Sequence, residues 1–409
     1  MAMNSDGEIT LHDEEIHIDD REALEFAVQL VRIRSVDEPG VSNEHEATQL
    51  VLAKMRQWGW SPDLVEVAPG RSNIIVDVPG GGPPGPLLAF EGHLDVVTEG
   101  DPSQWSVSPF GGEIVDGRLY GRGAADMKAG VVSMLYGVRA LQLAGPFPGS
   151  IRILALVDEE GMMLGAKHAV NSGALDGVAG VIICEPEGDE ICPVSKGAVR
   201  LRIDLNGQMT HGAMPDLGRN PLPALGRVLG ALEQIQRNLQ AQHGVHPHLG
   251  SIYVTPTVIE AGTPAQMNTI PARSSLWVDI RSVPGVDHDE LIERIRTEAA
   301  TLGVSDGITA QLTVIDNRPP VDTSVDDPVV TCLVEAHTRL TGRAPLFGGV
   351  PGTTDGTIFT RDAKVPTVVY GPGGKWIAHQ VDEYVEVEDI GRYALVYALA
   401  ARSFLSRDR

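Results

Sequence analysis

The chain has 409 residues, more than one hydrophobic core usually serves, so two domains are expected. A hydrophobic share of 42 % is that of a globular enzyme, and a net charge of −23 argues against nucleic acid or an anionic membrane as partner, since neither offers counter-charge. Three cysteines without regular spacing, Cys184, Cys192 and Cys332, argue against a disulfide framework and fit a reducing cytoplasm, and no run approaches the roughly 18 apolar residues that span a bilayer.

Residues 1–18 read as a loose acidic arm without the apolar centre of a signal peptide. A helix is expected from Asp20, with Leu24, Val28 and Val31 on one face. A second is expected from Asn43, where Asn43-x-x-Glu46 has the form of a capping box, to Gly59. Residues 73–78 read as a strand. The Gly- and Pro-rich run 80–86 is a loop whose glycines lack the strand-to-helix setting of a phosphate loop, so no nucleotide is assigned to it. Residues 87–91 form a strand of buried type that leads to His93, and 127–143 a helix of small and apolar residues. Residues 151–157 form an apolar strand ending at Asp158-Glu159-Glu160, and 181–184 another ending at Glu185. Strands alternating with helices predict an α/β fold on a mostly parallel sheet, where sites form beyond the carboxyl ends of strands.

The pattern then changes. Residues 198–206 alternate as a half-exposed strand does, 221–240 read as a helix, 251–259 and 274–281 as strands, 287–302 as a helix and 308–315 as a strand. That β-α-β-β-α-β order matches a ferredoxin-like sandwich. A helix over 328–340, a strand over 365–370 and a helix over 387–406 complete the chain. The simplest arrangement is a discontinuous α/β domain, residues 1–196 and 317–409, interrupted by an inserted ferredoxin-like domain at 197–316.

Chemistry gathers at the ends of the early strands. His93 and Asp95 are two apart in extended chain and point to one side, His93 as a metal ligand and Asp95 behind it to fix the ring. Asp126 opens a helix after Gly121-Arg122-Gly123. Glu159 and Glu160 are adjacent carboxylates at a strand end, costly to desolvate unless a cation compensates. Glu185 and His379 complete the set. Singly each has a plainer reading: a surface histidine, a helix cap, a solvated acidic turn. Together two histidines and several carboxylates suggest a two-metal hydrolytic site. Two divalent ions facing Asp126, Glu160 and Glu185, with neutral histidines, would leave about one positive charge, so an anionic substrate is tolerated. Mixed imidazole and carboxylate donors suit Zn, with Co or Mn as alternatives.

The segments Gly92-His93-Leu94-Asp95-Val96-Val97, Leu119-Tyr120-Gly121-Arg122-Gly123-Ala124-Ala125-Asp126-Met127-Lys128 and Asp158-Glu159-Glu160-Gly161 resemble, in this order, the zinc aminoacylase and carboxypeptidase family. That family includes acetylornithine deacetylase, succinyl-diaminopimelate desuccinylase and bacterial glutamate carboxypeptidase. The resemblance covers nearly the whole chain after about residue 20. It implies two zinc ions bridged by Asp126, one completed by His93 and Glu185, the other by Glu160 and His379. It makes Glu159 the general base and Asp95 the partner of His93, and it implies a cis peptide at Asp126-Met127. Ala125 and Met127 stand where some relatives carry a further Asp beside the bridge, and Ala129 where a Gly is frequent; neither change removes a ligand.

In the insertion, Met209-Thr210-His211-Gly212-Ala213 resembles the segment that supplies a histidine to the site, often from the second subunit of a dimer. Asn268, in Asn268-Thr269-Ile270-Pro271, and Arg281 resemble substrate-holding positions, and Gly352-Thr353-Thr354-Asp355-Gly356 the family's substrate loop. The insertion would then serve as lid and dimerisation domain of a homodimer. The expected activity is hydrolysis of the amide of an N-acyl amino acid, a water shared by the metals losing its proton to Glu159. A dipeptidase or exo-carboxypeptidase of the same family, and a metal-binding homologue without catalysis, are the alternatives.

Overall fold

The computed structural model describes residues 2–3, 9–10, 16–36, 44–304 and 306–407, which fall into two compact units. Most of the expected acidic arm, and Asn43 of the expected capping box, lie outside the described residues.

The first unit comprises Met1–Pro193, Thr323–Gly348 and Thr354–Arg409. It is a mixed α/β structure on one large sheet. Leu87–His93, Ser150–Leu156, Val178–Ile183 and Thr367–Val369 form its parallel middle. These strands are nearly continuous apolar runs because both faces are covered, and Leu88, Phe90, Ile151, Ile153 and Ile182 are all fully buried. Towards the edges the sheet turns antiparallel, through Arg71–Pro79 and Asp63–Ala68 on one side and Glu190–Ser195 on the other.

Two of these antiparallel strands, Asp63–Ala68 at an edge and Glu190–Ser195 inside the sheet, were not expected from the sequence. Asp63–Ala68 is half exposed and carries Asp63 and Glu66, and Glu190–Ser195 contains Pro193; both depart from the apolar pattern that marks the central strands. The expected helices are present as Asp20–Val31, Glu44–Gln57, Ala129–Ala144, Pro328–Thr341 and Val387–Leu405. Asp19 caps the first of them, its carboxylate accepting from the Glu22 N–H at 2.9 Å.

The second unit comprises Val194–Asp322 and Gly349–Thr353. Its sheet runs in the order Tyr253–Ala261, Arg273–Ser282, Gly197–Asn206, Thr309–Arg318, with every pairing antiparallel. Along Gly197–Asn206 the residues Val199, Leu201, Ile203 and Leu205 turn to one face and are fully buried, while Arg200, Arg202 and Asp204 turn to the other. The apolar face packs with Leu225, Val228 and Leu232 of helix Pro221–His243 and with Ile292 and Ile295 of helix His288–Val304. This unit continues beyond residue 316 because the strand Thr309–Arg318 stays paired as far as Arg318, opposite Ala198. The cysteines Cys184, Cys192 and Cys332 are buried and free, and among the described residues no helix is long and apolar enough to cross a membrane.

In the first unit, helices Ala129–Ala144 and Val387–Leu405 approach closely at Gly137. A Cβ there would lie 2.4 Å from the Ala394 carbonyl oxygen, a backbone atom that cannot step aside. Gly137→Val should therefore destabilise this unit by about 1–3 kcal/mol. Urea unfolding followed by circular dichroism measures it, and an unchanged midpoint would contradict the close helix contact.

Candidate metal centre

The parallel middle of the first unit's sheet delivers its functional side chains at one edge, as carboxyl ends of parallel strands do. His93 is the last residue of Leu87–His93; Glu159 and Glu160 follow Ser150–Leu156, and Glu185 follows Val178–Ile183. His379 stands on the loop after Thr367–Val369, with a left-handed backbone at φ +65°. Asp126 sits in the irregular turn Ala124–Lys128 that precedes helix Ala129–Ala144, and the Asp126–Met127 peptide is cis. Gly123, at φ +83°, makes that turn possible: a Cβ would meet Val96 Cγ1 at 2.5 Å.

The two oxygens of Asp126 face different histidines. Oδ1 lies 3.2 Å from His93 Nε2, and Oδ2 lies 3.2 Å from His379 Nε2. His93 Nε2 is also 3.3 Å from Glu185 Oε1, and His379 Nε2 is 2.9 Å from Glu160 Oε1. Two triads result, His93–Asp126–Glu185 and Asp126–Glu160–His379, each with its donor atoms within 4.8 Å of one another. Two imidazoles and three carboxylates, one of them shared, form a donor set that suits a pair of divalent ions such as Zn. A further group, Glu187, Glu190 and Cys192, converges in the same unit, but Lys375 Nζ already lies 2.6 Å from Glu187 and 2.7 Å from Glu190, so an ammonium serves as their cation.

Crowding and burial act on the protons of the metal-free cluster. Burial pushes the Glu159 and Glu160 carboxyls up and raises Glu185 to about 8, with the Asp126 charge adding to it. Burial also works against the Asp126 carboxylate, yet the hydrogen bonds and charges of both histidines hold it well below the usual range. Hydrogen bonds to Asp126 and Glu160 push His379 up to about 11, and His93 is raised despite its burial, mainly by the Glu185 charge. Protons thus stand in the cluster where cations would otherwise balance the carboxylates.

The supports are partly those the sequence indicates. His93 Nδ1 is 2.9 Å from the main-chain oxygen of Asp95 and 3.7 Å from its carboxylate. The ring is therefore oriented by the Asp95 carbonyl, which accepts the Nδ1 proton and leaves Nε2 to face Asp126 and Glu185. The Asp95 carboxylate instead accepts from the Glu159 N–H at 3.2 Å and the Glu160 N–H at 3.0 Å, holding the turn that carries both. Two residues that the sequence reading did not single out complete the frame. Glu383 accepts from the Ala125 and Asp126 N–H groups, each at 3.0 Å, and pairs with Arg122, whose Nη2 donates to the His379 carbonyl at 3.3 Å. Arg122 lay inside a recognised segment; Glu383 gave no local signal at all.

The remaining expected site residues are divided between the two units. In the second unit, the short antiparallel pair Thr210–His211 and Thr269–Ile270 brings His211 beside Asn268, with Nε2 to Nδ2 at 3.5 Å, and His211 Nδ1 accepts from the Ala213 N–H at 3.0 Å. Arg281 is in the same unit, its Nε donating to Asp279 at 2.8 Å. Thr353 and Thr354 are split by the division of the chain. Thr353 belongs to the second unit and accepts from Arg318 at 3.4 Å, while Thr354 belongs to the first, where its hydroxyl accepts from the Gly356 N–H at 3.3 Å.

Comparison with known proteins follows the same lines. The model of peptidase family M20/M25/M40 matches residues 89–403. The chain is 35 % identical over 325 residues to the succinyl-diaminopimelate desuccinylase of Rhodospirillum centenum, covering 77 % of this chain and 81 % of that protein. It is 25 % identical over 411 residues to the "Probable succinyl-diaminopimelate desuccinylase" of Staphylococcus aureus strain MSSA476, covering 94 % of this chain and 98 % of the relative. Among solved structures, aminopeptidase PepT from Bacillus cereus is similar at a TM-score of 0.76 and 19 % identity, over 95 % of this chain and 99 % of that one. The dipeptidase Dug1p from Saccharomyces cerevisiae is similar at 0.73 and 16 %, over 95 % and 97 %. At these identities the structural likenesses establish the fold.

Metal uptake by the metal-free protein should release protons. His379, with its proton affinity raised to about 11, is protonated at pH 7 and must lose that proton to coordinate. Calorimetric heats of zinc binding at pH 7 should therefore differ between buffers of high and low ionisation enthalpy. Equal heats in Tris and phosphate would contradict the arrangement.

Proposed function

The chain belongs to peptidase family M20/M25/M40 and is a metallohydrolase, and on that premise we propose that it cleaves the amide of an N-acyl amino acid. The observation that carries the proposal is the shared carboxylate of Asp126, with one oxygen towards His93 and the other towards His379, beside Glu159, a buried acid outside both donor triads. In this reading Asp126 serves two divalent ions, for which we assign Zn. His93 and Glu185 complete one position, Glu160 and His379 the other.

When bound, the metals polarise the substrate carbonyl and acidify water. The chain supplies the rest. The Glu159 carboxylate takes a proton from the attacking water as the water oxygen bonds to the carbonyl carbon. Glu159 then delivers that proton to the amide nitrogen as the C–N bond breaks, leaving a carboxylic acid and a free amine. Burial raises its proton affinity above that of an ordinary carboxyl, which favours taking a proton from water. Asp95 keeps Glu159 and its neighbour Glu160 in place through their main-chain N–H groups. Arg281 we assign to the substrate carboxylate, whose planar shape a guanidinium matches. His211 and Asn268 we assign to the substrate carbonyl, where their donors would stabilise developing negative charge.

An acyl amino acid is preferred over a dipeptide because the curated relatives described above are named for desuccinylation. The strand order of the second unit supports reading it as a ferredoxin-like insertion. A panel of N-acetyl and N-succinyl amino acids against dipeptides, with zinc-loaded protein and released amine as readout, decides the substrate class. Release from dipeptides alone would replace this proposal with a peptidase.

Two variants test the roles. Glu159→Gln should lower kcat by about 10²–10⁴-fold while metal content stays at the wild-type level. Activity close to wild type in that variant would remove Glu159 as the base. Arg281→Ala should chiefly raise KM for carboxylated substrates. Identical kinetics on an acyl amino acid and on its amide in both proteins would take Arg281 out of the site.

A further inference from the structure

Arg122 and Glu383 are nearly sealed from solvent, at 2 % and 0 % exposure, and form an ion pair within the first unit. An ion pair buried so completely gives up the hydration of both partners, and apolar residues of similar size commonly stabilise a fold as well or better. What this pair does beyond filling space is visible in its remaining contacts. One carboxylate oxygen of Glu383 accepts from two successive main-chain N–H groups, Ala125 and Asp126, both at 3.0 Å. The main-chain oxygen of Glu383 accepts from Gly121 N–H at 2.9 Å, at the start of the same turn. Arg122 reaches three ways. It contacts Glu383 through Nη1, the His379 carbonyl through Nη2 at 3.3 Å, and the Thr98 carbonyl through Nε at 3.3 Å. Its guanidinium lies over the Trp105 ring at 5.2 Å, which restricts it further.

We propose that Arg122 and Glu383 are a positioning pair that fixes the main chain of Asp126 and His379 relative to each other, and so sets the affinity of the metal position these two residues share. The inference rests on the metal reading given above. His379 adopts a left-handed backbone, which a residue with a Cβ holds only when its surroundings impose it. The donation from Arg122 to its carbonyl is one such constraint. Asp126, at the other end of the pair, is held by its own N–H. The two ligands are 253 positions apart in the chain (379 − 126) and belong to separate loops, so this one pair ties together what the sequence separates. The His93–Glu185 position has no such dependence on Arg122: His93 is the end of a central strand, and its ring is held by Asp95.

The test is a cobalt titration of the metal-free full-length protein, followed by calorimetry and by the visible spectrum. The wild-type chain should take up two equivalents. His379→Ala identifies the equivalent that belongs to the Asp126–Glu160–His379 position by the absorption it removes. Arg122→Lys keeps a cation opposite Glu383 but lacks the second nitrogen that reaches His379. It should weaken that same equivalent by about 10–100-fold and leave the other within a few-fold of wild type. Glu383→Gln keeps an oxygen for the two N–H groups and loses the charge that orients Arg122; it should weaken the same equivalent by less. Two equivalents bound with wild-type affinity in both variants would overturn the proposal. So would equal weakening of both equivalents in step with a lower melting temperature of the metal-free protein, the result expected of a pair that merely holds the fold together. A wild-type chain that takes up no cobalt would overturn the metal reading first, and this inference with it.

Discussion

Carboxylates buried together make one another harder to ionise, and here Asp126, Glu159, Glu160 and Glu185 are gathered around two imidazoles at one edge of a sheet. The shifts at these groups have a common origin. Burial and mutual repulsion raise three of the acids, while the fourth, Asp126, stays ionised because a histidine stands at each of its oxygens. The arrangement needs positive charge at two points. The raised histidines can provide it as imidazolium; under the proposed assignment the same nitrogens would hold the metals and give up those protons. Whatever cation is present, the two positions have one carboxylate in common.

The scaffold meets this constraint with rigid elements and short tethers. The central strands place His93, the Glu159–Glu160 turn and Glu185 at neighbouring ends, and fully buried apolar side chains such as Phe90, Ile153 and Ile182 fix the strands beneath them. The loops need help that strands do not. Asp95 spends its carboxylate on two N–H groups of the Glu159–Glu160 turn, and Glu383 spends one oxygen on two N–H groups of the Asp126 turn. In both cases a buried acid outside the donor set orients the main chain of one inside it.

How much of this could be read from the sequence follows from the range of the forces involved. A strand that is buried on both faces announces itself by a run of apolar residues, and the residue just beyond its end is then easy to place. His93, Glu160 and Glu185 were legible for that reason, and the α/β class with them. The strand Glu190–Ser195 was not, because its pattern is interrupted by Pro193. The split of Thr353 from Thr354 was hidden as well, since adjacency in sequence says nothing about which unit a backbone joins. Asp95 was legible as a neighbour of His93, but spacing alone does not say that its carbonyl would meet the ring while its carboxylate held the Glu159–Glu160 turn. Glu383 lies furthest from reach. Its partners are 257 and 258 positions away, and nothing in Asp382-Glu383-Tyr384 distinguishes it from a solvated acid.

The pair Glu159–Glu160 shows how neighbouring, chemically identical residues acquire separate tasks. Both side chains are acids raised by desolvation, so intrinsic acidity cannot assign them. Position does. Glu160 Oε1 is 2.9 Å from His379 Nε2 and so falls within a donor triad, whereas Glu159 belongs to neither triad and feels Glu185 and Glu160 as neighbouring charges. The turn cannot slide to exchange them, because each main-chain N–H is already matched to its own oxygen of Asp95. Asp158 adds a second lock. It adopts a left-handed backbone at φ +67°, and its carboxylate accepts from the N–H groups of Met162 and Leu164 at 3.0 and 3.1 Å, so the chain is held on both sides of the two glutamates. A shift of register by one residue would take Glu160 out of its triad with Asp126 and His379. The placing of one acid inside a donor triad and its neighbour outside both is therefore a property of the main chain, enforced by hydrogen bonds to carboxylates that do not themselves join either donor set.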